Sequence, residues 1–199
     1  MGLKMPFLRP RLFAALVLAV AAGAVGVLYV IHTSTVHAAG KPPPDLARLI
    51  VQRSPAVAPA VGFTGADGKR ATLASFQGRA VVLNLWATWC APCVRELPQL
   101  VQLQSALPGV TVVAVNVGRD NPAETATFLR SHGAGRLSAY VDSDAALIRA
   151  FNTEGLPFSV VVDPKGRELA RALGPCEWGT PAAIAYIRAL TAPPAHASS

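Results

Sequence analysis

Ala80-Val-Val-Leu-Asn-Leu-Trp86-Ala-Thr-Trp-Cys90-Ala-Pro-Cys93-Val-Arg-Glu96 is the stretch of this 199-residue chain that decides its fold. Ala80 to Trp86 is nearly continuous in apolar residues, the pattern of a strand buried on both faces. Cys90 follows after a short turn and opens a helical pattern running from Cys93 to about Ser105. A Cys-x-x-Cys pair between a buried strand and a helix has a direct chemical use. The first sulfur stands at the helix start, where unpaired N–H groups and the helix dipole favour a thiolate. The thiolate is the nucleophile in disulfide exchange, so lowering its pKa raises the fraction able to attack. Cys93, one turn on, is placed to resolve a mixed disulfide formed at Cys90. Pro92 falls in the first turn, where a missing N–H costs little, and Ala91-Pro92 tunes the potential of the pair.

The elements on either side alternate. Phe63 to Thr72 encloses Asp67-Gly68, a hairpin signal. Val110 to Val117 reads as a second buried strand. Asn121-Pro-Ala-Glu124 has cap, first-turn proline and third-position carboxylate in the order of a helix start, with an end near Ser131 and His132-Gly133. Asp142 or Ser143 is expected to cap a helix through Phe151; that duty accounts for Asp142 and Asp144 better than a metal does. Phe158–Val162 and Glu168–Leu173 flank the turn Asp163-Pro-Lys-Gly166, and Thr180-Pro181 starts a last helix ending near Leu190. The expected class is α/β, a mixed central sheet with helices on both faces, an N-terminal hairpin and a central helix-containing insertion.

Hydrophobic residues make up 52% of the chain and the mean hydropathy is +0.39. Much of that surplus lies in residues 12–31, uncharged and preceded by Lys4, Arg9 and Arg11. At ~1.5 Å per residue a helix of that length matches a bilayer core of ~30 Å, and the cations hold the start of the chain in the cytoplasm. One N-terminal transmembrane helix is therefore expected, with residues 1–11 cytoplasmic and the rest exported. A cleaved signal peptide is the alternative, since Val36-His37-Ala38 loosely fits a small-residue cleavage site. Residues 32–57, with Lys41-Pro-Pro-Pro44, Pro55 and further spacing of Leu46, Leu49 and Ile50, read as a Pro-rich tether carrying either a short helix or no fixed structure. A single globular domain would then span 58–190, with a flexible tail at 191–199.

The net charge falls from +7 to +4 once Lys4, Arg9 and Arg11 are set aside, and the remaining charges are scattered. Without a basic stripe, nucleic-acid binding is not suggested. The histidines at 32, 37, 132 and 196 are too isolated to complete a zinc site with the Cys pair. No metal and no cofactor are expected.

Trp86-Ala-Thr-Trp-Cys90-Ala-Pro-Cys93 after the strand, the in-helix Pro98, and Gly155-Leu-Pro157 before Phe158–Val162 together resemble the thioredoxin superfamily, over about Ala58 to Leu190. Leu83-Asn-Leu-Trp, Arg95-Glu-Leu-Pro98 and Gly174-Pro-Cys-Glu-Trp178 are most similar to its TlpA/ResA group of anchored periplasmic proteins. The resemblance implies a cis bond at Pro157, a redox-active disulfide between Cys90 and Cys93, and a client surface built from Trp89, Pro92, Leu156 and Pro157. It implies a protein-disulfide reductase in cytochrome biogenesis, supplied by a thiol-type membrane donor. TlpA-like clients would be a copper chaperone or a cytochrome oxidase subunit; the ResA-like alternative is apocytochrome c. A copper-carrying Sco-type factor fits poorly, because that group uses Cys-x-x-x-Cys with a distant histidine.

Two departures stand out. Where thioredoxins carry a buried aspartate the chain has Asn84, which cannot relay a proton. Glu96, three residues beyond Cys93 on the same helix face, is the expected replacement, against the plainer reading of a solvent-facing carboxylate. Cys176 has no evident partner and is expected to be a free thiol behaving as a small hydrophobe.

Overall fold

The computed structural model describes residues 40–192. The expected membrane helix at 12–31, the cytoplasmic segment and most of the tail lie outside these residues; within them no helix is long and apolar enough to cross a membrane.

Strand β4 (Ala80–Trp86) is buried along its whole length. It pairs in parallel with β5 (Val110–Asn116) and antiparallel with β7 (Phe158–Val162). Burial on both faces explains its unbroken apolar run. Val82 and Trp86 face one core with α1 (Ala91–Ala106), α2 (Pro122–Ser131) and α4 (Pro181–Thr191). Val81, Leu83 and Leu85 face the other, with α3 (Ala146–Phe151) and the 3₁₀ turn Leu73–Phe76. Strand β8 (Glu168–Leu173) continues the sheet beyond β7, while the hairpin of β2 (Phe63–Gly65) and β3 (Arg70–Ala71) closes the far edge through β6 (Tyr140–Val141). Among the described residues the architecture is a thioredoxin-like mixed α/β sheet of eight strands between helices.

The start of α2 is built as its sequence predicts: Asn121 Oδ1 accepts from the N–H groups of Ala123 and Glu124, and Glu124 Oε2 accepts from Asn121 N–H. For α3 the expected start is early by several residues. The helix begins at Ala146 behind Ala145, which sits at φ 50°. Asp142 Oδ2 still supplies the acceptor, reaching forward 2.7 Å to the N–H of Leu147. Local propensity did not anticipate the turn interposed between them.

The larger correction concerns the expected tether at 32–57. From Pro43 onward it belongs to the domain. Pro44–Leu46 forms a 3₁₀ turn with Leu46 fully buried, and Leu49–Val51 is an edge strand, β1, paired antiparallel with Ala170–Ala172 of β8. Val57 bridges Arg167. The apolar residues read as one helical face are instead those a short strand and turn send into the core. Prolines at 42–44 are compatible with this because an edge strand and its lead-in need few ladder donors.

Candidate active site

Cys90 and Cys93 are joined by a disulfide, with Cα atoms 5.3 Å apart. Cys90 occupies the N-cap of α1 in extended conformation and remains 5% exposed, whereas Cys93, in the first turn, is sealed. Of the pair, Cys90 is the one that keeps any exposed surface. Pro92 is half-buried in the same turn, and Trp89 projects from the preceding loop at 75% exposure. Trp86 ends β4 inside the core, its ring 5.7 Å from that of Phe128 on α2. Pro98 interrupts the ladder of α1 where it lacks an N–H for the carbonyl of Val94.

The loop carrying Trp89 is tied down by a group the sequence did not single out. Thr88 Oγ1 donates to Asp120 Oδ2 at 3.0 Å, and Asn116 Nδ2 donates to the same oxygen. Asn116 also reaches Thr125 on α2 and receives Gly118 N–H. The end of β5, the insertion and the active-site loop thus share one polar knot. Its residues are ordinary loop types in sequence, and no spacing rule marks them.

Leu156 and Pro157 are joined by a cis peptide. Pro157 is buried and its carbonyl accepts Gly174 N–H, fixing the start of the segment 174–178 beside it; Leu156 is half-buried and packs on the cluster that holds both active-site sulfurs.

Glu96 is not a solvent-facing carboxylate. It lies inside the domain with 2% exposure. Its Oε1 accepts the backbone N–H of Cys176 at 2.6 Å and the indole N–H of Trp178 at 3.1 Å, while Oε2 has no partner. Burial disfavours the charged form and pushes its pKa up to about 7; the two donors and the Asn84 side chain pull the other way, and Glu177 adds a small upward push. The value holds with the disulfide closed. A thiolate at Cys93 would raise it further, because like charge disfavours ionisation. Asn84 in β4 donates to Ser159 Oγ at 3.0 Å, and its own Oδ1 is buried without a donor.

Cys176 is free and buried, with burial and the neighbouring Glu96 pushing its thiol up to about 12. Such a thiol stays protonated and inert. Gly174-Pro-Cys-Glu-Trp178 showed itself in sequence only through family likeness; its contact with Glu96 spans 80 positions and carries no local signal.

The family model for Redoxin matches residues 52–187. The chain belongs to the Redoxin family. Among curated relatives it is similar to thiol-disulfide oxidoreductase ResA of Bacillus subtilis, 34% identical over 103 residues that cover 51% of this chain and 56% of the relative. It is 28% identical to the protein of that name from Bacillus thuringiensis, covering 59% and 68%. The chain thus spans little more than half of the first of these. Among solved structures, this redoxin resembles a DsbE-type thiol:disulfide interchange protein of Chlorobium tepidum (27% identity, TM-score 0.62, covering 69% and 97%). It also resembles a thioredoxin-family thiol:disulfide interchange protein of Chlorobium tepidum TLS (31%, TM-score 0.56, 69% and 97%).

Proposed function

We propose that the chain is a thiol–disulfide oxidoreductase that reduces protein disulfides on the outer face of a cytoplasmic membrane, tethered there by residues 12–31. The observation that carries the reading is the Cys90–Cys93 disulfide at the start of α1, the first cysteine keeping some exposed surface and the second sealed, with a buried carboxylate one turn beyond the sealed one. In the reduced protein the Cys90 thiolate attacks one sulfur of a client disulfide. The second client sulfur leaves as a thiolate and takes a proton from solvent. Cys93 then gives its proton to Glu96 and attacks the sulfur of Cys90, releasing the other client sulfur and regenerating the disulfide seen here. The client gains two electrons and this chain loses two, which a dithiol donor in the membrane returns.

Helix-start N–H groups favour the anion at Cys90. Glu96, poised near neutrality, is suited to take and return a proton at physiological pH. Trp89, Pro92 and the half-buried Leu156 form the surface offered to an extended client segment, with the buried Pro157 beneath it, and no metal or cofactor enters the steps. For the client, the Gly174–Trp178 stretch supports a copper-site chaperone or cytochrome oxidase subunit. The likeness to ResA proteins supports apocytochrome c as a second reading.

The test is insulin reduction by the full chain. Cys90→Ser should abolish it, and Cys93→Ser should accumulate a mixed disulfide without turnover. Full-speed reduction by either variant refutes the proposal. A reduction potential near that of thioredoxin, about −270 mV, agrees with a reductase, whereas one near DsbA, about −120 mV, would reverse the direction.

A further inference from the structure

Both donors that fix Glu96 come from the segment 174–178, and that segment is held from its other side by the chain as it enters the domain. The backbone carbonyl of Asp45 accepts Glu177 N–H at 2.9 Å. The Asp45 carboxylate accepts Thr180 Oγ1 at 2.7 Å, and the same hydroxyl accepts Ala183 N–H to cap α4. The Arg48 side chain lies over Gly174, whose φ of +91° admits no side chain easily. Leu46 and Leu49 join Cys176, Trp178 and both active-site sulfurs in one apolar cluster. Gln99 on α1 completes the enclosure with a bond to Glu177.

We propose that Asp45, through Thr180 and the segment 174–178, is a positioning residue for Glu96: the Pro43–Arg48 turn is a wall of the redox site, holding the Cys176 and Trp178 N–H groups against the carboxylate. The inference rests on reading Glu96 as the proton acceptor for Cys93. Physically, the carboxylate must be charged before it can take the proton of Cys93, and only these two N–H donors reach its Oε1. A hydrogen bond to an ionised acceptor is among the stronger contacts in a fold and the most sensitive to distance. A wall that sets this distance therefore sets how readily Glu96 takes a proton. The charged and titratable groups around Glu96 are Cys176 and Glu177 on the segment, with Arg48 behind Cys176 on the entering turn, and Cys93 stands three residues earlier on its own helix.

The probe is the indole N–H resonance of Trp178 in the oxidised full chain, one of three tryptophans, followed against pH. It should titrate with Glu96 and lose that response in Glu96→Gln. Asp45→Ala removes the acceptor for Thr180, and Thr180→Asp removes the hydroxyl hydrogen while keeping a side-chain cap for α4. Each should move the midpoint upward by roughly half a pH unit or more, about threefold in proton affinity, because the donors slacken while the carboxylate stays covered. Asp45→Asn, which keeps an acceptor, should leave it in place. The double variant Asp45→Asn/Thr180→Asp, in which the new amide can donate to the new carboxylate, should restore it. An unmoved midpoint in both single variants overturns the proposal, as does a downward shift, which would mean that the wall excludes water rather than placing donors. Should Asp45→Ala not fold, Thr180→Asp and its rescue decide alone. If instead Glu96→Gln leaves client reduction unchanged while the midpoint shifts persist, the acceptor role fails and the positioning stands.

Discussion

Replacing Glu96 by glutamine should make the oxidised protein more stable at pH 8 and leave it nearly unchanged at pH 4. The direction follows from the surroundings of the carboxyl group. In the folded chain it holds its proton to about pH 7, against an ordinary value of 4.5. Between these values the unfolded chain has released the proton and the folded chain has not. The unfolded state then binds fewer protons, and stability falls as pH rises through the window. A displacement of about 2.5 units at about 1.36 kcal/mol each gives a penalty on the order of 3 kcal/mol above pH 7. Glutamine retains the oxygen that accepts Cys176 N–H and the Trp178 indole, and it replaces the unpartnered Oε2 with a neutral amide. It therefore copies the protonated acid. Urea unfolding of the oxidised chain in non-reducing buffer, at intervals from pH 4 to pH 8.5, measures the difference. Wild type should lose stability across the window and Glu96→Gln should not. Parallel curves would refute the reasoning, since they would mean that the carboxylate ionises freely where it lies.

The same substitution should remove an inflection near neutrality from the pH profile of thiol reactivity, followed by alkylation of the reduced protein. Trp178→Phe keeps most of the ring packing but deletes one donor to Glu96; it should cost about 1–3 kcal/mol at pH 8, where that donor meets a charge, and less at pH 5, in the same urea titration. Leu46→Ala should cost about 2–5 kcal/mol, since the side chain is fully buried; a loss below a few tenths would return Pro43–Arg48 to the status of a tether. Asn121→Ala removes the acceptor for two N–H groups at the start of α2 and should lower stability by about 1 kcal/mol, read as a fall in Tm, with insulin reduction unaffected.

What the sequence disclosed divides by the range of the interactions responsible. The hairpin at Asp67-Gly68 and the Asn121 capping box rest on contacts between near neighbours and appear where local pattern puts them; β4 pairs with distant strands, but burial on both faces writes its unbroken apolar run into the local sequence. The helix start at Cys90 is equally local: a buried strand, a turn and a proline in the first helical turn. β1 was hidden because three residues of strand derive their stability from β8, more than 100 positions away, while their Leu-x-x-Leu-Ile spacing imitates a helix. The burial of Glu96 was hidden for a similar reason. Its place on α1, on the Cys93 face, was readable from periodicity. What covers that face arrives from residues 174–178 and, behind them, from Asp45. The knot of Thr88, Asn116 and Asp120 joins three segments through side chains that are common in any loop.

The asparagine at position 84 and the glutamate at position 96 are better understood together than apart. Each leaves one buried oxygen without a donor, Oδ1 of Asn84 and Oε2 of Glu96, and the Asn84 side chain is among the groups that act on the carboxyl. An orphaned buried acceptor costs about 1–3 kcal/mol. With an aspartate at 84 a second negative charge would stand in the same low-dielectric region, and two carboxylates so placed hold each other's protons. Asparagine removes that repulsion, so no second carboxylate on β4 competes with Glu96 for the proton. A proton on Oε2 turns one of the two unmatched acceptors into a donor, which favours the protonated acid in the resting disulfide. Opening the disulfide releases Cys93 as the nearby source of a proton, and the two N–H groups on Oε1 keep the anion accessible. The position of Glu96 near neutrality is therefore a balance between burial, which raises its pKa, and donors supplied by a segment that the entering chain holds in place.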